Sequence, residues 1–154
     1  MSAPSNHPDP NPCTATALRK AARRVAQLYD LAISDAGLRS TQFAILAELS
    51  ARTTAPTMAE LARALVIDRS ALGHNLRPLE RDGLVSWSAG SEDRRRRHVA
   101  LTPEGKLRLR EAVRGWRRAQ ARFDEVFGAR AASDLRKTLL SIAHDARLAS
   151  LADA

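Results

Sequence analysis

Residues able to do chemistry gather in two places in this chain, and both places are basic. In "SAGSEDRRRRHVALTPEG", Arg94, Arg95, Arg96 and Arg97 follow Glu92 and Asp93 without interruption. Four adjacent guanidinium groups repel one another, so such a run is settled only in open solvent or against something negative. As a solvated loop it has no task; as a hairpin tip it reaches a polyanion. The second place is "DRSALGHNLRPLERDGLV", where Arg69, Ser70, His74, Asn75 and Arg77 are interleaved with small residues. Guanidinium, imidazole and amide groups on one helix suit phosphate oxygens and base edges, and the small residues let the backbone come close. The same residues on a helix with no hairpin behind it would be an ordinary solvated face. The four histidines, His7, His74, His98 and His144, are scattered without zinc spacing. With no glycine-rich phosphate loop and no nucleophile motif, the sequence predicts no enzyme, no metal and no cofactor.

The overall balance agrees with an anionic partner. The net charge is +8, and all but three of the 25 basic residues are arginine, Lys20, Lys106 and Lys137 being the exceptions. Cys13 has no second cysteine to pair with, so neither an intrachain disulfide nor a cysteine metal cluster can form. That usage, an N-terminal stretch lacking a basic-then-apolar leader pattern, and the want of any membrane-length apolar run predict a cytoplasmic protein with no membrane partner. Four prolines among residues 1–12 predict that 1–13 is a disordered tail.

The elements that must position these groups are mostly helical. Leu18, Ala21, Val25, Leu28, Ala32 and Ile33 recur at helical spacing from Thr14 and predict a helix ending near Gly37. "STQFAILAELS" predicts a second helix capped by Ser40 or Thr41. Thr57 with Glu60 three residues on predicts a capping box and a short third helix. After a break at Val66 and Ile67, Asp68 caps a fourth, with Leu72, Leu76 and Leu79 one turn apart and Gly83 ending it. Pro78 predicts a bend in that helix, not two helices. "LVSWS" and "RHVAL" read as short strands around a loop over 89–93. Thr102 and Pro103 open a long helix with Leu109, Val113, Trp116, Phe123 and Phe127 on one face, ended by Gly128. A last helix starts near Ser133 and carries Leu135, Leu139, Ile142, Ala143 and Ala146.

Two short helices, a tight break and a hairpin describe a winged helix-turn-helix, whose second helix enters the major groove. The stretch from Asp68 to Gly105 resembles the core of the MarR-type transcriptional regulators. The resemblance is carried by Asp68, Leu79-Glu80, Gly83-Leu84-Val85, Asp93-x-Arg95 and Leu101-Thr102-x-x-Gly105, with "GLRSTQFAIL" matching upstream. It spans roughly residues 14–148. It implies a mainly α fold: a winged helix-turn-helix lobe over 38–102 with a short β-hairpin wing, and helices over 14–37 and 103–154 forming a dimerisation lobe. It further implies a homodimer on pseudo-palindromic double-stranded DNA, usually a repressor relieved by a small molecule or an oxidant. By the same resemblance Asp93 holds a wing arginine in place and Arg95 makes the minor-groove contact. Because side chains alternate along a strand, Arg94 and Arg96 face opposite to Arg95 and Arg97, and at most two of the four enter a groove together.

The apolar stripes outside the DNA-binding lobe need a partner, and a second copy is the economical one. For a small aromatic or anionic effector, Tyr29, Phe43 and Trp116 are candidate pocket residues, with Arg23 as counter-charge; as a plain alternative, the aromatics are core and the arginine is surface. Cys13, just ahead of the first helix, is the candidate for a thiol-based peroxide sensor, against a bystander thiol. A non-specific basic coater of DNA and a protein-binding winged helix are the competing classes.

Overall fold

The computed structural model describes residues 13–89 and 97–149. Six helices and one hairpin run in the order α1 (Thr14–Ile33), α2 (Ser40–Ala51), α3 (Met58–Leu65), α4 (Arg69–Arg81), β1 (Val85–Ala89), β2 (Arg97–Leu101), α5 (Pro103–Phe127) and α6 (Ala129–Ala143). Short 3-10 turns follow α1 at Ser34–Ala36 and α6 at Ala146–Leu148. The fold is a winged helix-turn-helix, α2 to β2, attached to α1, α5 and α6. Asp93, Arg94, Arg95 and Arg96 lie outside the described residues.

Local chemistry sets most of the boundaries. Thr57 Oγ1 accepts from the Glu60 amide while Glu60 Oε2 accepts from the Thr57 amide at 2.8 Å, a closed capping box. Asp68 caps α4 by accepting from the Ala71 amide at 2.8 Å. Thr102 does the same for α5 through Gly105, with Pro103 at the first position, where a missing N–H is harmless. Gly83, at φ +72°, closes α4 as a Schellman motif: the Leu84 amide donates to Leu79 and the Gly83 amide to Glu80. The turn between α3 and α4 has the same hydrogen bonds, Ile67 to Ala62 and Val66 to Arg63. There, however, the left-handed residue is Val66 at φ +52°, a β-branched side chain where glycine is usual.

Three boundaries or faces differ from the sequence expectation. The N-cap of α2 is Arg39, not Ser40 or Thr41. No hydroxyl is needed, because the Ser40 amide donates to Asp30 Oδ1 on α1 at 2.6 Å and the Arg39 amide to Gln42 Oε1. The last helix begins at Ala129, not near Ser133, since Gly128 at φ +91° ends α5 and starts α6 in a single residue. On α5 the buried stripe is Gly105, Leu109, Ala112, Gly115 and Ala119, not the large residues around Phe123 and Phe127. Small residues are required because α1 crosses there at close range: a Cβ on Gly115 would lie 1.9 Å from the Ala32 carbonyl oxygen. α4 is one helix containing Pro78.

The core belongs to the winged lobe. Leu46, Leu61, Leu72 and Val99 are fully buried, with Ile33 and Ala36 from the end of α1 and Leu109 and Ala112 from α5 completing the cluster. No polar side chain is buried among the described residues.

Candidate nucleic-acid interface

The recognition helix α4 has two faces set by its own periodicity. Leu72, Leu76 and Leu79 are buried, while Ser70, His74 and Arg77 point to solvent on the other side, and Arg69 is exposed at the first turn. Gly73 has nothing within 4 Å of where a Cβ would sit. Mid-helix glycine costs roughly 1 kcal/mol against alanine, and here no packing neighbour repays it. The helix surface beside Gly73 is open for something outside the chain. Asn75 is different from its neighbours. It is half-buried, its Nδ2 donates to Ala71 O at 2.9 Å, and its Oδ1 accepts from Thr41 Oγ1 on α2 at 3.2 Å. That pair ties the exposed start of α2 to the middle of α4.

The hairpin is fastened to both helices of the helix-turn-helix. β1 and β2 pair antiparallel from Val85↔Leu101 to Ala89↔Arg97. At the far end from the wing, Thr102 Oγ1 donates to Gly83 O at 2.7 Å and the Thr102 amide to Leu84 O, joining β2 to the end of α4. On the other edge, β2 meets the segment before α3. The Val99 amide donates to Pro56 O at 2.9 Å, and His98 Nδ1 lies 2.8 Å from Ala55 O. The wing is therefore not hinged freely; its root moves with α3 and α4. Glu60, beside this junction, is held below the usual carboxylate pKa, first by the Thr57 amide and then by the Thr57 hydroxyl, with smaller help from His98 and Arg52.

Arg97, the one member of the arginine run that is described, has its guanidinium over the Trp87 ring at 4.7 Å from the centroid. It shares the face of β2 that carries Val99, and Val99 is fully buried. A cleft of about 570 Å³ opens on that side between α3, the start of α4 and β2.

Two of the effector candidates come together. Phe43 and Trp116 stack at 6.1 Å between centroids against the core. Tyr29 donates its hydroxyl to Gln120 Oε1 at 2.8 Å, and burial pushes its pKa up. Arg23 is exposed on α1. The larger opening, about 630 Å³, lies instead where α1 meets α2, lined by Gln27, Asp30, Leu31, Ser34, Gly37, Leu38, Arg39 and Gln42. Gln27, Asp30, Leu31 and Ser34 follow helical spacing, but no single-helix pattern joins them to the turn and the start of α2 that complete the set. Cys13 is exposed at the N-cap of α1, where the hydroxyl and then the amide of Thr16 draw its pKa down.

Residues 38–96 match the family model described as MarR family. A solved structure of the Mycobacterium tuberculosis regulator MosR in complex with DNA is 35% identical, with a TM-score of 0.79, covering 90% of this chain and 99% of that one. This chain belongs to the MarR family. The Rhodopseudomonas palustris transcriptional activatory protein BadR is 34% identical over 110 residues, 70% of this chain and 62% of that protein. The transcriptional repressor CouR on a 23-mer DNA duplex is 27% identical with a TM-score of 0.78, covering 87% of this chain and 94% of that one. CouR from Rhodococcus jostii RHA1 with p-coumaroyl-CoA shares the fold at 21% identity and a TM-score of 0.75, covering 91% and 98%. These relatives are transcriptional regulators, and none is described as an enzyme. No described helix is long and apolar enough to cross a membrane.

Proposed function

We propose that this protein binds double-stranded DNA sequence-specifically as a homodimer, on a pseudo-palindromic operator, and represses transcription until a small aromatic or anionic molecule releases it. The observation that carries the reading is α4. Its leucine face is locked into the core, its opposite face offers Arg69, Ser70, His74 and Arg77, and Gly73 leaves the helix backbone approachable. A helix so presented reads base edges in the major groove, and the wing fastened at Thr102 and Pro56 brings the arginine run to the flanking backbone or minor groove. MosR and CouR, each solved with DNA, support a DNA-binding role. Such a protein works in the cytoplasm, on the chromosome.

The cleft at the α1–α2 junction supports ligand release. It is walled by Leu31 and Leu38, offers Arg39 to an anion, and adjoins the Asp30–Ser40 link between the helical ends and the winged lobe. A ligand that pushes on that link tilts α2, and through Thr41–Asn75 it disturbs α4. CouR, a repressor solved with p-coumaroyl-CoA, supports this sign; BadR, an activatory protein, is the precedent for the opposite one. A peroxide-sensing role for Cys13 draws support from its exposure and lowered pKa, but no second cysteine in the chain can resolve a sulfenate.

The test is fluorescence anisotropy on a duplex taken from the DNA flanking the protein's own gene, beside a mixed-sequence duplex of equal length. The expected ratio of affinities is roughly a thousandfold or more. Equal affinities would make the protein a non-specific coater, and no binding to either would point to a protein-binding winged helix.

A further inference from the structure

We propose that the cleft between α3, the start of α4 and β2 seats a phosphate of the DNA backbone, gripped by Arg63, Arg69 and Arg97. The inference rests on the DNA-binding reading above and assigns a separate role within it. The cleft, about 570 Å³, is lined by these three arginines with Thr57, Met58, Ala59 and Glu60. Each arginine comes from a different element: Arg63 from α3, Arg69 from the first position of α4, and Arg97 from the start of β2. The Arg97 guanidinium sits over the Trp87 ring, 4.7 Å from its centroid, and that contact to the ring face leaves its N–H groups available to an anion. Among the described residues, no carboxylate is in bonding range of Arg63 or Arg69.

Glu60, the one acid among the described lining residues, does not cancel this. Glu60 spends its Oε2 on the Thr57 amide and hydroxyl, at 2.8 and 3.0 Å. Three guanidinium groups against one committed carboxylate leave the cleft cationic. The arginines offer donors alone and a phosphodiester only accepts, so the three together suit a phosphate. Held by α3, α4 and β2 at once, a phosphate here fixes the angle between recognition helix and wing.

Anisotropy across a salt series, on the flanking-gene duplex and on the mixed-sequence duplex, tests the assignment in the full-length protein. Arg63→Ala is expected to weaken binding to both by the same factor, roughly tenfold. The slope of log affinity against log salt should become shallower by about 0.9, one phosphate contact. Arg63→Lys should restore the slope, since a point charge still neutralises phosphate, and Arg130→Ala on α6 should change neither quantity. A thermal melt matching wild type confirms that exposed Arg63 has no part in folding. Wild-type binding with Arg63→Ala indistinguishable from Arg130→Ala overturns the phosphate seat and leaves the functional reading standing. A loss confined to the flanking-gene duplex overturns it too, because Arg63 would then read a base. A wild-type protein that binds neither duplex removes both the seat and the functional reading.

Discussion

The winged lobe and the helical ends of this molecule bury their apolar residues to very different extents. From α2 to β2, Ile45, Leu46, Leu61, Leu72, Leu76, Leu79, Leu84 and Val99 are all at most 1% exposed, and Val66 is the only large hydrophobic described as exposed. α6 buries Ala132 alone, while Leu139, Leu140 and Ile142 on it stand in solvent, joined by Val126 and Phe127 at the end of α5 and Leu31 on α1. One region has a finished core; the other has apolar residues that no described residue covers. Large apolar residues exposed in such number mark a candidate interaction surface. On the two-fold operator proposed above, a second copy is the partner that would cover it.

Substitutions should therefore behave differently in the two regions. Leu46→Ala deletes a fully buried side chain and is expected to cost about 2–5 kcal/mol of unfolding free energy, read by urea denaturation. Leu140→Ser, at 60% exposure, removes no core and should leave the helical signal and the winged lobe intact while weakening self-association. A Leu140→Ser protein that unfolds like Leu46→Ala would erase the distinction. A smaller effect of opposite sign is expected within the helix-turn-helix. Val66→Gly relieves a β-branched residue from a left-handed φ, and should stabilise the protein by about 1 kcal/mol after the extra entropy of glycine is subtracted. A lower melting temperature would mean that the exposed Val66 side chain contributes packing worth more than the strain.

The same division explains what was legible in the sequence. Inside the winged lobe the signals are local. Thr57 with Glu60, Asp68, Gly83 and Thr102-Pro103 each act on neighbours within about one turn, and each sits where its residue type predicts. The leucine stripe of α4 fixes its exposed face by subtraction. Where partners come from distant segments, the reading failed. Nothing near Arg39 shows that Asp30, on another helix, will satisfy the start of α2. The small stripe of α5 is hidden beneath a louder aromatic one, because only the crossing with α1 makes Gly115 and Ala119 the buried residues. Arg63 looks like any surface arginine in a chain rich in them, and only the approach of α4 and β2 gives it a role. Phe43, Trp116 and Tyr29 are candidates by type, and the structure adds that the first two stack and that Tyr29 bonds Gln120; the cleft at the α1–α2 junction gathers other residues, of no conspicuous chemistry.

Sedimentation of the full-length protein, alone and on the flanking-gene duplex, tests the two-region account most directly. The expected result is a dimer at micromolar concentration and two chains per duplex, with residues 38–105 sedimenting as a monomer that binds weakly. A full-length monomer that sits singly on DNA, or an isolated winged lobe that binds as tightly as the whole chain, would contradict it.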